Sequence, residues 1–350
     1  MKTEVIIVGQ GLAGSVFSAY LMQSGIPFVV FDWPEHTTAS KLAAGIMNPV
    51  VFKYLTLSWG APEGFFSSLN FYLRLQEQFK TNFFHPLPIF KLFDGDELQL
   101  WQSKSNHRTI SPFLEINPKA HSWIEDVIAP FGFGKVEPAA WLDVPLFLNI
   151  IRRELLRRNC LFEMQVEYQK IDIQPDVIFY EGIQAKSMVF CEGWSVKDNP
   201  WFGQLPFRPV KGEILTVRIP YFRPEGILTR EVFLLPFGDG FFRLGSTYDR
   251  ENVNTITTNE AKEELLSKLA QMLPMDVEVL EQVAGVRPAI ADRKPVIGRH
   301  PQYQRLYLLN GLGTKGIQWA PLAADALLKL IQNNIELSNE INLRRFHRFI

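Results

Sequence analysis

The sequence predicts an α/β fold in which a Rossmann-type βαβ unit belongs to a domain that is discontinuous along the chain. Three observations lead to this prediction. A buried strand followed by G-x-G-x-x-G occupies residues 5–14, a second strand ends in an acidic residue at position 32, and another strand with a glycine loop lies at residues 306–316. Long inserted segments separate these patterns, as expected when a second domain interrupts the first.

Composition places the chain among ordinary globular proteins. With 350 residues, 47% of them hydrophobic, it is long enough for two domains. Lys and Arg total 36 against 37 Asp and Glu, so the formal net charge of -1 provides no global attraction to nucleic acid or to an anionic membrane.

The sequence does not predict a metal site, a signal peptide or a membrane span. The only cysteines, Cys160 and Cys191, lack metal-ligand spacing, and such low cysteine usage favours a reducing compartment. The strand at residues 5–8 has no basic region or cleavage site before it, and no uncharged apolar run reaches transmembrane length. We therefore expect a cytoplasmic protein without a signal peptide, a membrane span or a metal site.

The first βαβ unit begins with the strand VIIV, whose β-branched residues suit burial on both faces. Gly9 allows a tight turn out of the strand, Gly11 lets a pyrophosphate approach the backbone, and Gly14 lets the helix pack closely on the sheet. Helix amides and the helix dipole at this end favour a phosphate. The apolar face of this helix is formed by Ala13, Phe17, Tyr20 and Leu21. Gly25 and Pro27 are expected to end it.

The second strand, PFVVFD, ends at Asp32. A carboxylate at this position accepts hydrogen bonds from an adenosine ribose and repels a 2′-phosphate. The complete succession of strand, glycines, helix, strand and acid predicts dinucleotide binding far more specifically than the glycines alone.

The rest of the chain favours FAD over NAD because further βα units do not follow directly. Residues 37–50 form a loop of small residues, and 51–138 are aromatic and broken by prolines. A helix with Asp143 as N-cap and Pro145 in its first turn precedes strands at 162–173 and 187–195, which flank a short polar turn region. We expect a FAD-binding domain of residues 1–50, 141–200 and 283–350, and a substrate domain of residues 51–140 and 201–282.

The strand LYLLN and the loop GLGTKG at residues 306–316 precede a second predicted helix. An extended cofactor has two ends to hold, which explains glycine loops at two distant positions. If the second end is the isoalloxazine, the amides at the helix start face the ring region where reduction places negative charge.

Taken together, these segments resemble the D-amino-acid oxidase superfamily, which includes glycine oxidase and sarcosine oxidase. The similarity runs from residue 5 to about residue 327. The segments that carry it are VIIVGQGLAG, ASKLAAGIMNP, VFCEGW, RPVKGEIL, FFRLGSTYD, GVRPAIADRKPVIG and NGLGTKGIQWAPLAA. The resemblance implies a Rossmann-like, glutathione-reductase-type FAD domain and a second domain built on a mixed, largely antiparallel sheet.

The resemblance also implies which residues hold FAD. Those at the pyrophosphate are Gly9, Gly11, Leu12, Ala13 and Gly14. Asp32 and the adjacent Trp33 belong to the ribose region. The loop along the ribityl chain and flavin comprises Ser40, Ala43, Ala44 and Gly45. Val166 matches a strand residue whose backbone meets adenine, and Gly193 matches a close approach to the cofactor. The flavin loop comprises Gly313, Thr314, Lys315, Gly316 and Ile317.

The chain departs from the family pattern at several positions. Cysteines that link flavin covalently in some relatives have no counterpart here, so we expect non-covalent FAD. Cys191 and Glu192 replace the usual alanines, and Thr314 and Lys315 replace small residues, Arg or His. These changes affect the prediction of the substrate more than that of the cofactor.

Flavin amine oxidation needs few protein groups, because a hydride passes from the substrate carbon to flavin N5 and water then hydrolyses the imine. Arg287 matches the family's carboxylate anchor, with a structural ion pair to Asp292 or a neighbour as the alternative. Arg243 matches a position where a relative carries a lysine that promotes reaction with oxygen, and a surface arginine is the alternative.

Other polar residues have weaker assignments. Thr314 is grouped with the residues at the reacting ring, and Tyr248 and Tyr221 are possible caps over the substrate. Lys211 and Glu213 either face the cavity or pair at its rim. The histidines form no metal pattern, and His36 and His300 are interpreted as loop residues near the cofactor motifs.

Three functions stay open at this point: oxidation of a small amine or amino acid, oxidation of a tRNA uridine, and electron transfer to a partner by a flavoprotein subunit. The segment NGLGTKGIQWAPLAA is also similar to the oxidase half of the bifunctional enzyme that matures the wobble uridine of bacterial tRNA. A predicted helix carries a basic cluster, Arg152, Arg153, Arg157 and Arg158, for which a solvated face is favoured over RNA contact.

Overall fold

The computed structural model describes residues 1–33, 38–119 and 122–350. His36 and Thr37 of the sequence analysis lie outside the described residues. The chain divides into two compact units: unit 1 comprises Met1–Ala43, Val144–Val210 and Val286–Ile350, and unit 2 comprises Ala44–Asp143 and Lys211–Gly285. Compared with the expected division, residues 44–50, 141–143 and 283–285 lie in unit 2, and residues 201–210 lie in unit 1. The assignment of cofactor and substrate to these units stays a prediction.

Seven α-helices occur in the described chain. They are α1 (Leu12–Gln23), α2 (Ala39–Leu42), α3 (Glu63–Phe79), α4 (Glu97–Lys104), α5 (Val144–Arg157), α6 (Asn259–Ala270) and α7 (Gly316–Asn333). Helix α5 begins directly after Asp143 and has Pro145 at its second position, as predicted. None of the described helices has the length and apolar character needed to cross a membrane.

The β-strands are short and are given in chain order. They are β1 (Val5–Val8), β2 (Phe28–Asp32), β3 (Ile46–Met47), β4 (Val50–Val51), β5 (Thr56–Leu57), β6 (Phe84–Pro86), β7 (Ile89–Leu92), β8 (Leu114–Ile116), β9 (Phe133–Val136), β10 (Ala140–Leu142), β11 (Leu161–Glu163), β12 (Asp172–Ile173), β13 (Ile178–Tyr180), β14 (Ile183–Ala185), β15 (Ser187–Phe190), β16 (Val210–Arg218), β17 (Ile227–Thr229), β18 (Phe233–Gly238), β19 (Phe241–Gly245), β20 (Glu278–Arg287), β21 (Val296–Arg299) and β22 (Leu306–Asn310).

Unit 1 is built on a six-stranded sheet with the order β11-β2-β1-β15-β22-β21. The first five strands run parallel, and β21 lies antiparallel to β22 at the edge. Strand β1 is buried along its whole length between β2 and β15, which explains its run of β-branched residues. The predicted parallel sheet is confirmed, and strands from three separate segments of the chain form it.

Helix α1 packs against α5 and α7 within unit 1. Helix α1 is more buried than its predicted apolar face indicates, because small residues such as Ser15, Ser18 and Ala19 are also buried. Tyr20 is correspondingly less buried than the rest of the predicted face. The helix ends at Gln23, shortly before Gly25 with a φ of 66°, as expected.

The strand predicted at residues 162–173 is wrong in extent. Strand β11 ends at Glu163, and the small antiparallel sheet β12-β13-β14 follows. Glu181 and Gly182 connect β13 to β14, both with positive φ (46° and 71°), as in the two-residue hairpin turns that match strand twist. This hairpin occupies much of what the sequence analysis interpreted as a polar turn region.

Two other predicted segments also differ from the structure. The strand predicted at 187–195 ends at Phe190, and residues 37–50 include α2 and β3 in place of a plain loop.

Unit 2 contains an eight-stranded sheet with the order β20-β16-β19-β18-β17-β7-β9-β8. Its pairs are mainly antiparallel, with β17 and β7 running parallel. A separate three-stranded sheet has the order β3-β10-β6. The mixed, largely antiparallel sheet implied by the family resemblance is therefore confirmed.

A buried ion pair fixes part of unit 2. Lys211 Nζ lies 3.0 Å from Glu213 Oε1, and both side chains are only 2% exposed. Glu213 also accepts hydrogen bonds from the Thr258 amide and hydroxyl and from Gln282 Nε2. The expected pairing of Lys211 with Glu213 is therefore present, and the buried pair connects β16, the start of α6 and β20.

We predict that Glu213→Gln lowers the free energy of unfolding by about 3–5 kcal/mol, because the buried Lys211 ammonium loses its carboxylate. The double variant Lys211→Met/Glu213→Leu removes both charges and should be less destabilised than the single variant. Urea unfolding measures both effects. As a control, Asp176→Asn removes the exposed partner of Arg305 and should change stability little. Equal effects of Glu213→Gln and Asp176→Asn would contradict a structural role for the buried pair.

Candidate functional site

In unit 1, the turn from β1 into α1 brings main-chain segments together at distances that only glycine permits. Gly9 has a φ of 97°, and a Cβ placed there would lie 2.7 Å from the Cys191 carbonyl oxygen. A Cβ on Gly14 would lie 1.9 Å from the Gly9 carbonyl oxygen. The close packing predicted for Gly14 is therefore present, and α1 begins directly at the carboxyl end of β1.

Hydroxyl groups line the start of α1. The Leu12 amide donates to Ser40 Oγ at 3.0 Å, and a Cβ on Gly11 would lie 3.3 Å from this same oxygen. Because Ser40 Oγ accepts here, its own hydrogen is available for another acceptor. The buried Thr38 Oγ1 has no hydrogen-bond partner among the described residues. The amides and the Ser40 hydroxyl at the start of α1 are suited to phosphate oxygens, whereas Thr38 is the N-cap residue of α2.

Asp32 lies beside this turn and accepts two hydrogen bonds. The Gln10 amide donates to Oδ1 at 2.8 Å, and Arg152 Nη1 donates to Oδ2 at 3.0 Å. Arg152 also contacts Gln10 Oε1 at 2.9 Å and Glu163. A carboxylate can accept about four hydrogen bonds, so Asp32 keeps capacity for ribose hydroxyls.

The basic cluster of α5 is therefore largely neutralised within unit 1. Arg152 is half-buried between the carboxylates of Asp32 and Glu163, which corrects its interpretation as part of a solvated face. Arg157 and Arg158 both pair with Glu154 and lower the pKa of that carboxyl to about 2. The exposed Arg153 completes the cluster.

The second glycine loop lies next to the first. After β22, residues Gly313–Lys315 form a short 3-10 turn, and α7 starts at Gly316. A Cβ on Gly316 would lie 3.2 Å from Leu12 Cδ2, so the starts of α1 and α7 adjoin each other. Unit 1 thus brings together the two loops that the sequence analysis assigned to opposite ends of one cofactor.

The flavin-loop residues differ in exposure. Thr314 is exposed and Ile317 is buried. Desolvation lowers the pKa of Lys315 to about 7, and its position at the start of α7 also disfavours a positive charge because of the helix dipole. Burial therefore makes Lys315 lose its proton more readily than an exposed lysine does.

Other predicted cofactor residues occupy loops. Val166 lies between β11 and the 3-10 turn at Tyr168–Lys170, so its prediction as a strand residue is wrong. Trp33 follows β2 directly and is 39% exposed. The Gly193 carbonyl oxygen accepts a hydrogen bond from Asn310 Nδ2 at 2.8 Å, which connects the turn after β15 with the end of β22.

The sequence analysis assigned no role to Glu192. Its carboxylate accepts hydrogen bonds from two side chains. Tyr168 donates its hydroxyl to Glu192 Oε1 at 2.6 Å, and Asn199 Nδ2 donates to Oε2 at 2.8 Å. Desolvation raises the pKa of Glu192 to about 7, although both hydrogen bonds favour the charged carboxylate. The glutamate in VFCEGW, where alanine is usual, is the sequence signal that pointed to this position.

Arg287 ends β20, and its backbone carbonyl accepts a hydrogen bond from the Ala289 amide at 2.9 Å. The proposed alternative partner, Asp292, instead forms a two-point ion pair with Arg345. The structural alternative for Arg287, an ion pair with Asp292 or a neighbour, stays a prediction. His300 is buried, and its Nδ1 accepts the amides of Gln302 and Tyr303, which identifies it as a structural loop residue.

In unit 2, Arg243 lies in the middle of β19 and is partly buried. Its guanidinium lies 5.5 Å from the ring centroid of Phe237, and burial lowers its pKa. Arg243 is thus a strand residue of intermediate exposure, and both of its predicted roles stay predictions. Tyr248 is 65% exposed and Tyr221 is 93% exposed, so within unit 2 neither ring covers a buried group.

The strand β10 and its neighbours form an aromatic site in unit 2. The rings of His85 and Trp141 stack at 4.7 Å and 20°. Ala44 and Gly45 precede β3, which pairs with β10. Burial lowers the pKa of His85, while Asp143 opposes this shift, so the imidazole is largely neutral at pH 7. The sequence analysis identified neither His85 nor Trp141, because nothing local marks them.

Comparison with known proteins places this geometry in a family context. The family model described as FAD dependent oxidoreductase (DAO) matches residues 4–330. A glycine oxidase of Bacillus licheniformis is 32% identical, with the match covering 95% of this chain and 94% of that protein. Among solved structures, glycine oxidase from Geobacillus kaustophilus is similar in fold, with a TM-score of 0.82, 20% identity and coverage of 99% and 98% of the two chains.

A second kind of relative is the tRNA 5-methylaminomethyl-2-thiouridine biosynthesis bifunctional protein MnmC of Marinobacter nauticus. It is 24% identical over 98% of this chain, but the match covers 58% of that protein. The chain thus spans little more than half the length of this relative.

We predict that Glu192 makes stability depend on pH between about pH 4.5 and pH 7. Its folded-state pKa is raised, so its stabilising contribution is complete below the unfolded-state pKa and is lost as the pH rises through about 7. Glu192→Gln stays neutral and should remove this part of the decline, measured as the melting temperature at each pH with FAD in excess. The control Glu115→Gln changes an exposed carboxylate and should follow the wild-type profile. Parallel profiles for wild type and Glu192→Gln would contradict the assignment.

Proposed function

The chain belongs to the DAO family of FAD-dependent oxidoreductases, and we propose that it oxidises the C–N bond of a small amine or amino acid. The near full-length match to a glycine oxidase carries this proposal. The tRNA-modifying relatives, in contrast, contain a large part that has no counterpart in this match.

The residues of unit 1 fit FAD. We assign the pyrophosphate to the start of α1, where the amides and Ser40 can donate to phosphate oxygens. We assign the ribose to Asp32, whose carboxylate retains free acceptor positions. The remaining proposed contacts are Trp33, Ala43, Ala44, Gly45, Val166 and Gly193.

The second glycine loop, residues Gly313–Ile317, is proposed to hold the flavin ring. When bound, FAD accepts a hydride from the substrate carbon. The backbone amides at the start of α7 and the positive end of its helix dipole favour negative charge on a ring held by this loop. Below about pH 7, Lys315 adds a positive charge at this end of the helix, and above that pH it loses the charge.

We propose Arg287 as the anchor for a substrate carboxylate. The GVRP segment that carries Arg287 matches the position of this anchor in the family. A guanidinium binds a carboxylate through two parallel hydrogen bonds, which fixes the orientation of the adjoining carbon. Arg243, Thr314 and Tyr248 stay proposals for supporting roles, of which Arg243 is favoured because it is a partly desolvated cation.

A second candidate function is oxidation of a side chain on a tRNA uridine. The observation in its favour is the similarity to the MnmC protein over 98% of this chain. The pairing of Arg152, Arg157 and Arg158 with carboxylates weakens the case for α5 as an RNA-binding surface. A surface elsewhere would have to supply the phosphate contacts that dominate RNA affinity.

The proposed function predicts that amines bleach the bound flavin under anaerobic conditions. The panel should contain glycine, sarcosine, D- and L-amino acids, their decarboxylated amines and tRNA with modified uridines. We expect reduction by at least one small amino acid, recorded as loss of flavin absorbance in a stopped-flow instrument. Reduction by modified tRNA alone would favour the second function. Reduction by dithionite but by no member of the panel would indicate an electron-transfer subunit.

We predict that Arg287→Lys raises the half-saturating concentration of an amino acid and slows flavin reduction, because charge is kept while two-point geometry is lost. Arg287→Ala should lose on the order of a hundredfold in kcat/KM, since removal of a charged hydrogen-bonding partner costs about 2–3 kcal/mol. Simple amines should be affected much less. The diagnostic quantity is the ratio of kcat/KM for an amino acid to that for its decarboxylated amine.

The matched control is Arg345→Lys, which alters the neighbouring arginine that pairs with Asp292. It should change stability without changing the amino-acid to amine ratio. If Arg287→Ala leaves that ratio at the wild-type value, Arg287 is not the carboxylate anchor, whatever its effect on the overall rate.

A further inference from the structure

Two carboxylates lie side by side where neighbouring strands of the unit 1 sheet end. Asp32 and Glu163 are direct partners in the parallel pair of β2 and β11, and each is the last residue of its strand. Like charges on neighbouring strands repel each other. A cation between the two side chains offsets this repulsion and can hold both of them in place.

Arg152 of α5 supplies this cation. Its Nη1 donates to Asp32 Oδ2 at 3.0 Å, and its Nη2 donates to Glu163 Oε1. The side chain is partly buried, and the planar guanidinium presents its donors in a fixed arrangement. Arg152 therefore binds both carboxylates at the same time and restrains the direction of each.

Gln10 connects these charges to the turn from β1 into α1. Its side chain is buried, and its Oε1 accepts a further hydrogen bond from Arg152 Nη1 at 2.9 Å. Its Nε2 donates to Ser15 Oγ at 2.8 Å and to the Leu148 carbonyl oxygen at 3.1 Å, one turn before Arg152 on α5. The position of Arg152 is therefore tied to the glycine turn as well as to the two strand ends.

The Asp32 carboxylate is held by one donor on each oxygen. The Gln10 amide donates to Oδ1 at 2.8 Å, and Arg152 donates to Oδ2. The terminal torsion of an aspartate is otherwise broad, so these two hydrogen bonds fix the plane of the carboxylate. Each oxygen keeps acceptor capacity in a fixed direction, which suits it to distinguish a ribose hydroxyl from a hydrogen atom at the same position.

We propose that Arg152 is a positioning residue for the cofactor ribose: by holding Asp32 Oδ2, it directs the remaining acceptor capacity of Asp32 toward the adenosine 2′-hydroxyl. Arg152 acts through Asp32 and does not contact the ribose itself. This inference rests on the proposed function, which assigns the ribose to Asp32. It gives one arginine of the basic cluster a role in cofactor recognition, whereas the sequence analysis considered only a solvated face or RNA contact.

The test measures how strongly the holoprotein prefers FAD over the FAD analogue that contains 2′-deoxyadenosine. The holoprotein is equilibrated with an equimolar excess of both flavins, and the bound flavins are then released by denaturation and separated by chromatography. The preference is the ratio of the two bound forms. Because the analogue lacks one hydrogen bond to a charged acceptor, wild type should prefer FAD about ten- to a hundredfold.

Arg152→Met should lower this preference by about threefold or more, because the Asp32 carboxylate loses the donor on Oδ2 and is repelled by Glu163. The matched control Arg157→Met removes an arginine of the same helix that pairs with Glu154, and it should keep the wild-type preference. The double variant Arg152→Met/Glu163→Gln contains no like-charge pair, so it serves even if Arg152→Met does not fold. Its preference should also fall below that of wild type.

The Asp32→Ala background distinguishes positioning from direct contact. With the carboxylate removed, the preference for FAD should be nearly lost, and addition of Arg152→Met should not change it. If Arg152 contacts the ribose itself, Asp32→Ala should retain a preference that Arg152→Met then removes. That result would overturn the positioning role.

Failure of this inference differs from failure of the proposed function. If wild type prefers FAD and the Arg152 variants prefer it equally, the ribose assignment stands and the role of Arg152 is overturned. If wild type binds both flavins equally, the assignment of the ribose to Asp32 is wrong, and the inference fails with it. The amine panel decides the oxidase function independently, because it uses wild-type protein with FAD.

Discussion

The turn from β1 into α1 is possible only because two glycines let three stretches of main chain approach one another. Gly14 meets the carbonyl of Gly9, and Gly9 meets the carbonyl of Cys191 at the end of β15. This contact sets where α1 starts and how closely it lies on the sheet. The positions of the α1 amides, of Ser40 beside them and of the adjoining start of α7 all follow from that approach.

The charges around this turn are balanced locally. Asp32 carries a negative charge beside the turn from β1 into α1, and the Gln10 amide donates to it. Arg152 offsets it from α5, and its second partner Glu163 keeps the guanidinium in position. Gln10 completes the arrangement, since its amide binds Asp32 and its side chain binds Arg152. Both oxygens of the Asp32 carboxylate are therefore held by hydrogen bonds from residues of unit 1.

Sequence reasoning succeeded where structure is decided by neighbouring residues. The strand, the glycines and Asp32 lie within one short segment, and so do β22 and the start of α7. It failed where partners are distant along the chain, as for Arg152 with Asp32 and Glu192 with Tyr168. The hairpin at Glu181 and Gly182 was missed because its strands are only three residues each.

The order of strands in unit 1 has a consequence for how the protein is made. Strand β15 pairs with β1 on one side and with β22 on the other, so the central sheet is completed only after residues 306–310 emerge from the ribosome. Until then, the nascent chain exposes the apolar edge of a half-built parallel sheet, which is slow to form and prone to aggregation. Chaperone capture during synthesis is therefore expected to matter more for this chain than for a protein whose cofactor domain is encoded in one continuous segment.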